Sequence, residues 1–210
     1  MFGGVIGAGL VAAVYSWVEN RHTEAVTKFT TEIDKLYQPF YTLSLANDVA
    51  WCGFVHGAWR PTKTKHLNCK DKVGYWDAPN LPAPEAERWR TAMTVVFQPS
   101  NIAMERLILD HADLLVTRDP PPKWQDFQEH VDGYKLLIAE WKADDREKRP
   151  NQFISKKSNV FDAKPYPQGL TACAADLLET ILEERDSIQA SLFRSWTSGR
   201  EKQTPASCRD

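Results

Sequence analysis

No stretch of this chain alternates apolar and polar residues as a half-buried strand does, so the pattern predicts an all-α protein. A charge excess of one sign is missing too: the formal net charge is -2, which excludes a whole-molecule electrostatic nucleic-acid binder. Carboxylate-bridged di-iron bundles need a Glu-x-x-His pair on each of two helices, and no two helices here carry one. The His-Glu-x-x-His zinc motif is absent. Nothing in the order of residues supplies the nucleophile, oxyanion site and paired acid that a reaction would need, and no cofactor is expected. The four cysteines, Cys52, Cys69, Cys173 and Cys208, fit no metal-ligand spacing and are too few for a disulfide-dense scaffold. They read as free thiols in a reducing compartment. Cys208 is followed by Arg209 and Asp210, which is not prenylation spacing.

What the chain does have is an uncharged apolar start. Met1 to Val18 contains no ionisable side chain, and Glu19 closes the run. As a helix it would span about 27 Å at about 1.5 Å per residue, close to a bilayer core of about 30 Å. Tyr15 and Trp17 fall where interfacial aromatics belong, with Arg21 and His22 in the headgroup zone beyond them. The pattern predicts a single-pass membrane anchor over residues 1–18, with the lipid bilayer as its first partner. A cleavable signal peptide would start with a basic region, which this stretch lacks. Gly3 and Gly7, like Gly4, Ala8 and Ala12, form a small-residue stripe on which a homodimer could close. Gly7, Gly9 and Ala12 also match Gly-x-Gly-x-x-Ala, but a dinucleotide site needs a strand before it and a second strand after it. Neither is present, and the match is a decoy.

From Val18 the apolar residues keep helical spacing through His22, Ala25, Phe29, Ile33, Leu36, Phe40 and Leu43. The anchor is therefore expected to continue into the first bundle helix, over about 19–59, with Pro39 kinking it or opening a bulge. Further helices are expected at about 84–117, 123–144 and 169–196, giving a bundle domain over 19–196 and a disordered polar tail over 197–210. Val96-Phe97-Gln98-Pro99 in the second helix matches Leu36-Tyr37-Gln38-Pro39 in the first and should interrupt it in the same way. The fold class is thus an up-down four-helix bundle with an amino-terminal single-pass membrane helix continuous with its first helix.

Two groups of residues are candidates for function. Asn47, Asn101 and His111 are polar residues on or beside apolar stripes, and His130 borders a third. They read as a buried polar layer that fixes helix register. An acid-base or ligand site around His111, flanked by Asp110 and Asp113, is the alternative. The second group is basic. Arg60, Lys63, Lys65, Lys70 and Lys72 lie in one long connection, and Arg146, Lys148, Arg149, Lys156 and Lys157 in another. In an up-down-up-down bundle both connections would meet at the end far from the anchor, forming a patch for an acidic protein partner, nucleic acid or a second membrane surface. Without interleaved aromatics and base-reading residues, nucleic acid is the weaker candidate. Arg21 and Lys28, the cations nearest the apolar run, place the amino terminus outside and the bundle in the cytoplasm. The expected function is a membrane-anchored interaction module, scaffold or sensor-like accessory.

Overall fold

The computed structural model describes residues 4–56, 83–115, 119–146, 164–191 and 204–209. These are helical, and no strand occurs among the described residues. The first rod is α1 (Gly4–Glu32), a π-helical turn (Ile33–Tyr37) and α2 (Gln38–His56). The second is α3 (Ala83–Ala92), another π turn (Met93–Phe97) and α4 (Gln98–Asp110). The third and fourth are α5 (Pro122–Arg146) and α6 (Leu170–Gln189).

Both π turns have the same cause. Proline has no N–H, and its ring collides with the carbonyl four residues back, so a regular α-turn cannot pass through Pro39 or Pro99. Each rod widens by one residue just before its Gln-Pro pair. The Gln38 N–H donates to the Ile33 carbonyl and the Gln98 N–H to that of Met93, five residues back in each case. The bulge expected at Pro39 is present, and the second rod repeats it.

Ring and hydrogen-bond contacts fix how the rods pair. Asn47 of α2 meets Asn101 of α4, while Phe54 lies against Trp89 and Phe97, so the second rod runs opposite to the first. Trp124 of α5 stacks on Phe40 at 4.3 Å, and Tyr134, further on, reaches Trp89 at 6.4 Å; α5 therefore runs with the first rod. The His22 ring donates to the Ile188 carbonyl at 2.8 Å, near the carboxyl end of α6. His22 is thus half-buried against the bundle.

Apolar packing falls into two clusters. The larger gathers Phe29, Leu36 and Phe40 of the first rod, Met104 and Ile108 of α4, Trp124 and Phe127 of α5, and the inner face of α6. The smaller is mostly aromatic: Phe54, Trp89, Met93, Phe97, Tyr134, Ile138 and Trp141. At about 1.5–3 kcal/mol for each large side chain withdrawn from water, these clusters hold the rods together.

Two sequence expectations are corrected here. The three described cysteines are not free thiols: Cys173 and Cys208 form a disulfide, and Cys52 is disulfide-bonded as well; Cys69 lies outside the described residues. Nor is the carboxyl-terminal tail disordered throughout. Residues 204–209 fold back as a short 3-10 turn, placing Cys208, fully buried, in the larger core beside α6. A polar composition gave no hint of this, because the segment is tied to the core by a bond to a residue 35 positions away.

The membrane span also changes. Among the described residues no helix is long and apolar enough to cross a membrane. From Gly4, a window of 18 residues already takes in Glu19 and Arg21. The described part of α1 nevertheless keeps an apolar character on an exposed surface. Every side chain from Leu10 to Trp17 is exposed, with Leu10 at 66% and Val11 at 69%. Burial begins only at Val18, His22 and Ala25, and becomes full at Phe29.

Candidate functional site

Between the two apolar clusters lies one polar layer, built by a residue from each of three rods. Asn47 sits between Phe40 and Phe54 on α2, Asn101 between Phe97 and Met104 at the start of α4, and His130 between Phe127 and Tyr134 on α5. All three are buried, His130 to 1% exposure. Helical spacing explains the placement: Asn101 and His130 lie three or four residues from a core aromatic and Asn47 seven from both Phe40 and Phe54, steps that return to the same helix face.

The layer is a directed hydrogen-bond chain. Asn47 Nδ2 donates to Asn101 Oδ1 at 2.7 Å, and Asn101 Nδ2 faces His130 Nε2 at 3.3 Å. His130 Nδ1 lies 2.6 Å from the Lys164 carbonyl. A carbonyl only accepts, so Nδ1 carries the proton. In a neutral ring Nε2 then accepts from Asn101, and each contact of the chain pairs a donor with an acceptor. Burial lowers the His130 pKa to about 4, opposed in part by the Lys164 hydrogen bond, so the ring is neutral near pH 7.

Two clamps hold this arrangement. Gln98 Nε2 donates to the Val131 carbonyl at 3.0 Å, one residue beyond His130. The matching Gln38 instead reaches Thr42 at 3.3 Å on the exposed side of α2, so the two Gln-Pro motifs share a backbone device and not a side-chain role. The second clamp is Lys164, whose ammonium bonds Asp126 at 2.5 Å and Glu129 at 2.7 Å on α5. Those carboxylates push the Lys164 pKa up. One residue therefore grips α5 by its side chain and the His130 ring by its backbone. Lys135 ties α4 to α5 further along, bonding Glu105 at 2.7 Å and Asp132 at 2.9 Å.

Tyr166 covers the layer edge-on, 5.4 Å from the His130 ring. Burial raises the pKa of its hydroxyl, and the nearby Asp48 carboxylate adds to the effect. Asp48 is half-buried beside Thr171, and desolvation pushes its carboxyl up from the usual range.

The sequence-predicted polar residues are thus partly united. Asn47 and Asn101 bond directly, and His130 completes the chain. His111 takes no part: it stands at the carboxyl end of α4, ten residues or about 15 Å beyond Asn101, where its carbonyl accepts from the Leu114 N–H. The signal for His130 was its position three residues after Phe127 and four before Tyr134. Of the basic patch, Arg60, Lys63, Lys65, Lys70, Lys72, Lys148, Arg149, Lys156 and Lys157 lie outside the described residues, and Arg146 is the last residue of α5. The described rods do bring the two exits together, because Phe54 near the end of α2 and Trp141 near the end of α5 share the aromatic cluster.

Chemically the layer is closed. The lone pair of His130 is occupied by Asn101, no carboxylate among the described residues bonds the ring, and the chain ends on a backbone carbonyl. Among the described residues no group of three His, Cys, Asp or Glu side chains could hold a metal ion. Such a layer specifies which helix faces meet, because any other register strands buried polar groups at about 1–3 kcal/mol each. Compared with protein-family models, curated proteins and solved structures, the chain matches none.

Proposed function

We propose that this protein is a bilayer-attached helical interaction module, an up-down-up-down four-helix bundle carried on the apolar amino-terminal end of its first rod. The observation that carries the reading is the exposure of Leu10, Val11, Val14, Tyr15 and Trp17 on a helix that continues into the core. A protein groove covers one face of a helix; an apolar helix exposed all round suits lipid, which surrounds it. Trp17, with the Arg21 guanidinium 5.9 Å from its ring, supplies an aromatic and a cation where such a helix would leave the bilayer. The residues before Gly4 extend the apolar run in sequence.

The rigid polar layer supports an adaptor or scaffold role and not a catalytic one, since its groups satisfy one another. The partner would meet the end distant from the apolar extension, where α2 and α5 end and the two basic connections begin. An acidic protein surface is the complementary chemistry there. Flotation of the full chain with liposomes, beside a chain lacking residues 1–18, tests attachment. Flotation of the full chain alone supports it, whereas equal behaviour of the two chains removes it.

A further inference from the structure

We infer that the helical bundle matures in an oxidising compartment, so that the attached protein holds its bundle on the oxidising side of the membrane. The sidedness rests on the attachment proposed above; the oxidising compartment does not.

Three observations converge. Cys173 and Cys208 are joined across a sequence separation of 35, and both are fully buried within the larger core. Cys52, on another rod, is disulfide-bonded as well, and among the described residues no cysteine is a free thiol. The bridge also organises its surroundings. Residues 204–209 reach the core through Cys208, and the Arg209 guanidinium closes the turn on the Thr204 carbonyl at 2.8 Å. Cytosolic thiols are held reduced, and a buried bridge that seats residues 204–209 is a structural bond, unlike an exposed, exchanging redox pair. Bond formation joins two thiols and passes two electrons and two protons to a disulfide oxidant, the class of catalyst that exported proteins meet.

Against this stand Arg21 and Lys28, which by the positive-inside rule would keep the bundle cytoplasmic. They are only two cations, each beside an acid at 3.8 Å: Arg21 with Glu24, and Lys28 with Glu32. A two-residue bias is weaker testimony than a covalent bond built into the core.

The test uses the full, untagged chain in cells. Lysis directly into detergent with N-ethylmaleimide caps every free thiol; reduction and a second, heavier maleimide then mark the cysteines that had been paired. Peptide masses read the two labels at each position, and a membrane pellet from the same culture scores attachment separately. The expected result is the heavy label on Cys173 and Cys208, with both peptides linked before reduction. N-ethylmaleimide as the main label on either cysteine overturns the inference, even if the chain pellets with membranes. Paired cysteines in a chain that does not pellet would instead overturn attachment and the sidedness drawn from it, leaving the oxidising compartment standing.

Discussion

The His130 ring lies 2.6 Å from the Lys164 carbonyl, and this contact sets the direction of the whole polar layer. With Nδ1 as the donor, Nε2 must accept, Asn101 must present its amino group to the ring, and Asn47 must present its own to Asn101. Three rods are thereby held in one register by a single tautomer.

That tautomer makes stability depend on pH. The folded pKa of His130 is lowered to about 4 from an unfolded value of 6.5, so between these values the unfolded chain binds a proton that the folded chain refuses. The stabilisation is fully present above pH 6.5 and is lost as pH falls towards 4, amounting to about 3 kcal/mol over the window. Urea unfolding at intervals from pH 7 to pH 4 should show that slope, and His130→Gln, which cannot titrate, should flatten it. An unchanged slope in the variant would contradict the assignment.

Asn101 is the joint of the chain, giving to His130 and receiving from Asn47. Asn101→Leu strands both neighbours and is expected to cost about 3 kcal/mol; Asn47→Leu leaves the His130 contact intact and should cost about half as much. Equilibrium denaturation of the two variants measures the difference. Equal losses would mean that packing, and not the hydrogen-bond chain, dominates the layer.

The Cys173–Cys208 bridge closes a loop of sequence separation 35, for which the loss of unfolded-state entropy amounts to about 3–4 kcal/mol. A Cys173→Ala, Cys208→Ala double variant should lose stability on that scale, and protease should then cut the released tail before the helices. A tail equally resistant in the variant would show that its non-covalent contacts suffice.

The helices and their breaks were legible in the sequence because their causes are local. Apolar spacing marked each rod, and the Gln-Pro pairs at Gln38 and Gln98 marked both π turns. Asn47 and Asn101 were legible as core polar residues for the same reason. Their partner was not, because the choice between His111 and His130 depends on which rods cross at that level. His111 looked the stronger candidate for its neighbouring aspartates, yet it lies beyond the level of the layer. The cysteine pairing was illegible on the same grounds: Cys173 and Cys208 are 35 positions apart, and nothing local in either segment announces their meeting.

Attachment through α1 is the central claim, and liposome flotation of the full chain beside one lacking residues 1–18 tests it most directly. The truncated chain keeps every fully buried side chain of the core, so circular dichroism should show it folded. The account predicts that the full chain floats with the lipid and the folded truncated chain stays at the bottom of the gradient. A full chain that stays with its truncated form, or a truncated chain that floats as well, would contradict it.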